Sequence, residues 1–136
     1  MDEKKIIERT IHQAFNIGKN KELSLIHSIH LDNEQFSKFS DIPPYHLQGY
    51  EEACLHEEMF FANVSDYDFK IKDLKIEIFN DIAITAFILE EQGMIVDDYS
   101  FTGRTLNVKA RVSMILKKYN DKWLIIHEHL SRMPEH

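Results

Sequence analysis

The stretch that decides the fold runs from Arg111 to Ser131 and reads RVSMILKKYNDKWLIIHEHLS. Apolar and polar residues alternate on either side of Asn120-Asp121, a dipeptide typical of tight hairpin turns. Because successive side chains of a strand point to opposite faces, the pattern predicts two antiparallel strands joined by a short turn.

Strict alternation along the second of these strands predicts that two imidazoles share a face. That face would carry Trp123, Ile125, His127, His129 and Ser131, and the other face Leu124, Ile126, Glu128 and Leu130. Neutral imidazoles can donate, accept or transfer a proton near pH 7, so His127 and His129 are candidate catalytic residues and Ser131 a candidate ligand contact. The alternative is a half-buried pair whose ring nitrogens are satisfied by backbone and water.

The neighbouring strand carries Arg111 and Ser113, and the hairpin register decides whether they meet the histidines. A two-residue turn would set Arg111 beside Leu130. A three-residue loop would set Arg111 beside His129 and gather the polar side chains on one face. We expect the three-residue loop and assign ligand-binding roles to Arg111 and Ser113; the alternative is an exposed arginine on the sheet surface.

The His-x-His step at residues 127–129 could also chelate a transition metal if a third ligand converged on it. The chain lacks a His-Glu-x-x-His motif, and no glycines flank the step as they do in cupin metal sites. We therefore expect no metal and no cofactor.

Upstream of this hairpin, the spacing of apolar residues is first helical and then alternating. Helices are predicted over residues 3–17 with a stop at Gly18, over residues 20–31 and over residues 50–63, with a connector holding one short strand over residues 32–44. Strands are predicted over residues 74–78, 82–89 and 105–118, and a loop or irregular edge over residues 92–103. The strand over residues 82–89 is apolar on both faces and should be central.

Helices followed by a meander of strands indicate an α+β fold, with three N-terminal helices packed on one face of a curved antiparallel sheet. The length of 136 residues fits one domain, over residues 1–136. Because helices in so short a chain cover one side of the sheet, we expect the other face to be covered by a second copy in a homodimer.

Glu57 lies in the middle of the apolar arc of the third predicted helix, so the sequence places a carboxylate on a buried face. Burial would raise its pKa and make it a candidate catalytic acid or base; the alternative is a structural ion pair with Arg111 or a histidine. His30 and Tyr99 are candidate ligand contacts, with core or capping roles as alternatives. We expect Glu57, Arg111 and the two strand histidines to converge in one cavity.

Composition excludes two classes of partner. A formal net charge of −7 disfavours phosphate backbones and anionic lipid headgroups, so we expect no nucleic acid and no membrane partner. The start of the chain shows no signal-type apolar core, and no stretch approaches the roughly 20 apolar residues of a membrane span. The lone Cys54 excludes an intramolecular disulfide and favours a reducing compartment, so we expect a cytoplasmic protein.

The order of an Arg-x-Ser step at residue 111, a strand, a short turn, Trp123 and a His-x-His-x-Ser ending resembles the C-terminal signature of SnoaL-like proteins of the nuclear transport factor 2-like superfamily. The association domain of calcium/calmodulin-dependent kinase ends in a similar way. The resemblance implies a cone-shaped sheet wrapped by helices, an internal pocket and a homodimer formed through the sheet.

Proteins with this fold include ketosteroid isomerases, polyketide cyclases, dehydratases, epoxide hydrolases and purely assembling domains, so function must be argued from the site. We expect a pocket for a small-molecule ligand, in an isomerase-, cyclase- or hydratase-type enzyme. Glu57 or a histidine would serve as its acid or base and Arg111 would hold an anion. The alternative is a non-catalytic ligand-binding or assembly domain.

Overall fold

The structure of the chain, a computed structural model, describes residues 2–97 and 102–134. In chain order the elements are α1 (Glu3–Asn20), a 3-10 turn (Leu23–Leu25), α2 (Ile26–Ile29), β1 (Ser37–Phe39), α3 (Tyr50–Asn63), β2 (Val64–Phe79), β3 (Ile82–Asp97), β4 (Thr102–Tyr119) and β5 (Lys122–Arg132). Among the described residues, no helix combines the length and the hydropathy needed to cross a membrane.

The strands form one sheet in the order β1-β5-β4-β3-β2. Neighbours from β2 to β5 are antiparallel, whereas β1 runs parallel to β5, so the sheet is mixed. The helices pack on the inner face, where alternate residues of β4 from Leu106 to Leu116 are buried. The predicted α+β fold, with helices on one face of a curved sheet and β3 inside it, is confirmed.

The end of α1 differs from the prediction. The helix continues through Gly18 to Asn20, and the left-handed residue that closes it is Lys21, with a φ of 58°. Gly18 is needed for a different reason: a Cβ there would lie 2.2 Å from Cδ1 of Phe61 on α3. The second predicted helix is reduced to the 3-10 turn and the single turn of α2, and it ends before His30.

The predicted loop over residues 92–103 is wrong wherever the structure describes it. The ladder between β3 and β4 continues to the pair Asp97 and Thr102, and it includes Gln92 opposite Asn107. Polar side chains and glycines misled the prediction because a strand is held by backbone hydrogen bonds, which such side chains do not prevent.

The turn between β4 and β5 has two residues, with Tyr119 opposite Lys122, so the expected three-residue loop is wrong. A β-bulge then shifts the register: Leu116 pairs with Ile125 but Ile115 pairs with His127, which leaves Ile126 as an extra residue. A bulge of this kind reverses the faces of all the residues that follow it.

The reversal changes which side chains of β5 face the helices. Before the bulge, the predicted inner residues Trp123 and Ile125 are buried in the core. After it, Glu128 is buried at 4% exposure while His129 is exposed. The bulge therefore exchanges the predicted histidine face for a face that carries a carboxylate.

Candidate functional site

A cavity of about 60 Å³ lies between α3 and the inner face of the sheet. At roughly 10–15 Å³ for each water, it holds a few waters or the reactive end of a small ligand. It is closed on one side by the connector between β1 and α3. The lining combines aromatic and ionisable side chains: Phe15, Lys38, Ser40, Asp41, Ile42, Pro43, Gln48, His56, Glu57, Phe60, Phe61, Glu91, Glu128, Leu130 and Arg132.

Four ionisable side chains form a buried cluster at one end of this cavity. Lys38 lies opposite Glu128 in the β1-β5 register, and its Nζ is 3.6 Å from Glu128 Oε2 and 3.7 Å from Glu57 Oε2. Behind them, His30 Nε2 lies 2.7 Å from Glu128 Oε1 and 3.5 Å from Glu57 Oε2. Two acids and two bases therefore balance one another away from bulk water.

Both ring nitrogens of His30 face acceptors, because Nδ1 donates to the Ile26 carbonyl at 2.6 Å and Nε2 donates to Glu128. Burial works against the charged imidazolium, but Glu57 and Glu128 outweigh it and raise the pKa of His30. Lys38 behaves in the same way: burial opposes its charge, and the two carboxylates raise the pKa of the ammonium above its ordinary value. The two carboxyls thus favour the protonated, cationic forms of both His30 and Lys38.

The two carboxyls respond differently. For Glu128, burial favours the protonated form, but Lys38 and His30 outweigh burial and lower its pKa to about 2. For Glu57, burial prevails over the same two cations, and the nearby charge of Glu128 adds to it, so the pKa is raised. Glu128 is therefore a permanent anion, and Glu57 is the carboxyl that can hold or release a proton.

Two buried polar atoms in the cavity wall make no hydrogen bond. Within residues 2–97 and 102–134, neither Glu57 Oε2 nor Gln48 Nε2 makes a hydrogen bond, although both atoms are buried. His56 Nδ1 donates to Gln48 Oε1 at 3.0 Å, which leaves the amide N–H groups for the cavity. The cavity thus offers an acceptor or acid on α3 and a donor on the connector.

A second buried acid lines the cavity from the sheet. Glu91 on β3 is 6% exposed, and the Tyr67 hydroxyl donates to its Oε2 at 2.6 Å. Burial raises the pKa of Glu91 to about 7, although the hydrogen bond from Tyr67 opposes the shift. This carboxyl therefore changes its charge near neutral pH.

The residues that could hold a metal are His30, Glu57 and Glu128, whose ligand atoms lie within 4.8 Å of one another. These donor types suit a divalent cation. However, Lys38 already lies against both carboxylates, and its charge would oppose a cation in the same place. The expected absence of metals and cofactors stays a prediction.

The structure places most of the predicted site residues on the outer face of the sheet. Arg111 pairs with Ser131, and Ser113 pairs with His129; Arg111, Ser113 and His129 are exposed, whereas Ser131 is half-buried. His127 also points outward, where its Nδ1 lies 2.8 Å from the hydroxyl of Ser37. These side chains do share a face, as predicted, but it is not the face of the cavity.

The predicted convergence of Glu57, Arg111, His127 and His129 in one cavity is therefore wrong. Glu57 lies in the cavity wall, where its helix position placed it, whereas the bulge in β5 turns the other three side chains away. His30 lies directly behind the cavity in the ionic cluster. Tyr99 lies outside the described residues. Whether the outward-facing residues bind a ligand of their own stays a prediction.

Sequence reasoning missed the other polar residues of the cavity. Glu128 had a signal, since a glutamate between Ile126 and Leu130 is out of place on an apolar face. Whether Glu128 faces the cavity depends on the bulge at Ile126, which the alternation of apolar and polar residues does not reveal. Lys38 and Gln48 lie in the short β1 strand and the irregular connector, where no periodicity identifies an inner face. Glu91 lies between the predicted strand over residues 82–89 and the predicted loop over residues 92–103, where no face is assigned to it.

A family model of the SnoaL-like domain matches residues 7–135. No curated protein matches the chain. Among solved structures, a proposed dehydratase of the NTF2-like family from Streptomyces avermitilis is similar, with a TM-score of 0.81, 13% identity and coverage of 96% of this chain and 97% of that chain.

An NTF2-like superfamily protein from Salmonella enterica superposes with a TM-score of 0.80 and 18% identity, over 95% of this chain and 89% of that chain. The association domain of C. elegans CaMKII superposes with a TM-score of 0.70 and 16% identity, over 95% of both chains. At such low sequence identity, these superpositions show that the fold is shared. The chemistry of this chain has to be argued from the residues of its own cavity.

Proposed function

This chain belongs to the SnoaL-like family, and from that premise we propose that its cavity binds a small organic molecule and that Glu57 exchanges a proton with it. The reaction class is that of an isomerase, a hydratase or a dehydratase, which all require a proton to be removed from one position and delivered to another. Such steps need a carboxyl whose pKa is raised towards neutral pH.

The observation that carries this proposal is a pair of buried polar atoms in the cavity wall that make no hydrogen bond to any residue that the structure describes. They are Gln48 Nε2 and Glu57 Oε2, and the contacts of Glu57 Oε2 with His30 and Lys38 are 3.5 Å and 3.7 Å long. Buried polar groups are hydrogen-bonded in nearly all proteins, because an unmet donor or acceptor costs about 1–3 kcal/mol. A ligand with an oxygen atom could accept from Gln48 while an adjacent C–H or O–H group meets Glu57. Binding would then relieve both costs.

The remaining cluster residues have supporting roles in this proposal. Lys38 and His30 lie within 3.7 Å of Glu57 Oε2, so they stabilise its carboxylate when it forms. Glu128 is permanently ionised and holds both cations in place. The cluster therefore keeps Glu57 buried yet able to ionise, as an acid/base group requires.

The proposal is tested with three fluorinated probes of similar size: uncharged 4-fluoroacetophenone, anionic 4-fluorobenzoate and cationic 4-fluorobenzylamine. At least one should bind at pH 6, as seen by fluorine NMR, and shift the side-chain amide resonances of Gln48. Glu57→Gln should abolish deuterium uptake into the methyl group of the ketone in heavy water, because an amide cannot take up the proton from carbon.

Glu58→Gln is the matched control, because Glu58 is the next residue on α3 and contacts His27 at the surface instead of the cavity. It should bind the probes as the unchanged protein does. If the probes shift resonances elsewhere while the Gln48 amide stays unmoved, or if Glu57→Gln still exchanges the methyl protons of the ketone for deuterium, the proposed function is wrong.

A second candidate function is assembly, which one feature of the outer sheet face favours. This face exposes large apolar side chains, including Ile84 on β3 at 49% and Phe39 on β1 at 37%. We propose that a second copy of the chain covers it, giving a homodimer.

We also propose a cytoplasmic location, because the lone Cys54 cannot form an intramolecular disulfide and a reducing compartment is the simpler assumption.

A further inference from the structure

We propose that Glu91, positioned by Tyr67, is a second proton-transfer group in the cavity, and that the ligand is an uncharged ketone or related carbonyl compound. The inference rests on the proposed function, because it assumes that Glu57 serves the same ligand. It adds the partner acid, its location on the opposite wall, and the chemical class of the ligand.

The local structure around Glu91 is built by a second β-bulge. Between the pairs Ser65–Met94 and Asp68–Gln92, two residues of β2 face the single residue Gly93 of β3. The extra residue, Asp66, adopts a left-handed φ of 53°. As a result, Tyr67 points inward to the core although the alternation that starts at buried Val64 would have sent it outward.

The glycine opposite this bulge is required by the same geometry. A Cβ on Gly93 would lie 2.6 Å from Cγ1 of Val64 and 3.0 Å from the Ser65 carbonyl oxygen. The bulge and the glycine together bring the Tyr67 hydroxyl to 2.6 Å from Glu91 Oε2. Bulges are common next to active sites, where they redirect a side chain.

Glu91 and Glu57 approach the cavity from opposite walls, since one lies on β3 in the sheet and the other on α3 above it. A ligand between them would touch a carboxyl on each side. The other ionisable groups around Glu91 come from every polar element of the wall: Tyr67 from β2, Lys38 from β1, Asp41 from the connector, Arg132 from β5 and His56 from α3. Its neighbours from α1 and β4, Phe15 and Val108, are apolar.

Two carboxyls on opposite sides of a ketone permit a balanced exchange of protons. The Glu57 carboxylate takes a proton from the carbon next to the carbonyl, and the carbon–carbon double bond of an enol forms. Protonated Glu91 gives its proton to the carbonyl oxygen at the same time. Each carboxyl ends in the opposite protonation state. Glu57 then gives a proton back to carbon while the enol hydroxyl gives its proton back to Glu91, and both carboxyls return to their starting states. The net charge of the cavity stays constant, so no solvent reorganisation is needed.

The charge balance of the wall selects an uncharged ligand. Lys38 and His30 offset Glu57 and Glu128, and Arg132 contacts Asp41 at 3.1 Å. When Glu57 is ionised and Glu91 is protonated, these cationic and anionic groups are equal in number. A charged ligand would therefore bring a net charge into a buried site, which is costly. The aromatic part of the wall, formed by Phe15, Phe60 and Phe61, suits the apolar body of such a compound.

The experiment measures the affinity for 4-fluoroacetophenone from pH 5 to pH 9 by fluorine NMR. This ketone accepts hydrogen bonds, cannot donate them and stays uncharged throughout. In the unchanged protein the affinity should fall about tenfold between pH 6 and pH 8, because Glu91 loses its proton around pH 7. Glu91→Gln should bind with no change over this range, since its amide donates at every pH.

Tyr67→Phe tests whether the tyrosine positions Glu91. It keeps the aromatic packing but removes the hydrogen bond that favours the carboxylate, so the midpoint of the pH profile should move to higher pH. Glu90→Gln is the matched control, because Glu90 precedes Glu91 on the outer face and contacts Lys72. Its pH profile should equal that of the unchanged protein.

The outcomes separate this inference from the proposed function. The role of Glu91 is refuted if ketone affinity still depends on pH in Glu91→Gln, or if it does not depend on pH in the unchanged protein. In either case, loss of deuterium uptake in Glu57→Gln would still support the role of Glu57. If 4-fluorobenzoate or 4-fluorobenzylamine binds and the ketone does not, the ligand class is wrong although the cavity binds. A midpoint lost in Glu91→Gln, with deuterium uptake unchanged in Glu57→Gln, would support Glu91 and refute Glu57.

Discussion

Lys38 shows how one buried residue determines the protonation of two others. Its ammonium lies at similar distances from Glu57 and Glu128, yet the second carboxyl is also hydrogen-bonded by His30. The charge of Lys38 lowers the pKa of Glu128 most and the hydrogen bond from His30 adds to it, whereas burial and the charge of Glu128 raise the pKa of Glu57. Glu128 is therefore held as an anion, and Glu57 is the carboxyl that can take up a proton.

We expect Lys38→Met to lower the free energy of unfolding by about 3–5 kcal/mol at pH 7, because it leaves a buried carboxylate without its partner. The depressed pKa of Glu128 stabilises the protein above the unfolded-state value of 4.5, and this contribution is lost as the pH falls towards 2. The deficit of the variant should therefore shrink as the pH is lowered below 4.5. Urea unfolding at several pH values measures it.

The matched control is Lys118→Met, which removes an ion pair with Glu3 at the surface. Exposed pairs contribute about 0–1 kcal/mol, so this variant should lose little at any pH. An equal loss in the two variants, or a deficit of Lys38→Met that grows on acidification, would contradict the assigned role of Lys38.

At the scale of the elements, two β-bulges determine which residues of the sheet face the cavity. The bulge at Ile126 in β5 turns Glu128 inward, and the bulge at Asp66 in β2 turns Tyr67 inward. Each lies one or two residues before the polar side chain that it redirects. The acid groups of the cavity thus depend on local departures from regular strand geometry.

We expect Gly93→Ala to disturb the β2 bulge, because the new Cβ would overlap Val64 Cγ1. The loss should be about 1–3 kcal/mol, as for other overpacked sites, and the pH midpoint of ketone binding should shift as Tyr67 moves. Gly49→Ala is the control, since no atom lies within 4 Å of its Cβ position. If both variants unfold at the same denaturant concentration, the steric argument fails.

At the scale of the whole molecule, the helices cover one face of the sheet and leave the other exposed. On this outer face, Ile84 near the start of β3 is 49% exposed and lies opposite Ile115 of β4. A sheet face of this kind is commonly covered by an identical face related by a twofold axis. The inward cavity and the outward face can therefore serve binding and assembly separately.

We expect the protein to be a dimer at micromolar concentration, by light scattering, and Ile84→Lys to be a monomer, because a buried lysine without a partner opposes association. Leu55→Lys is the control: Leu55 is 53% exposed on the outer side of α3, away from the sheet face, and its variant should stay dimeric. A monomeric unchanged protein, or a dimeric Ile84→Lys variant, would contradict this interface.

The sequence by itself was sufficient for the α+β class, the order of the long strands, α3 and the inward position of Glu57. Each of these follows from hydrophobic periodicity or turn chemistry within a short stretch of chain. Trp123 and Ile125 share a face by the same alternation, and Trp123 is buried at 4% exposure. Local patterns carry such information because they report which face of one element avoids water.

The tertiary structure alone decided which polar residues share the cavity. A bulge costs little locally and leaves no periodic mark, yet one extra residue at Ile126 sends His127 and His129 to the outer face and Glu128 to the inner one. Lys38 meets Glu57 and Glu128 because β1 adds parallel to β5, a pairing between segments about ninety residues apart. No local period specifies that contact, since it is stabilised only when distant parts of the chain bury their charges together.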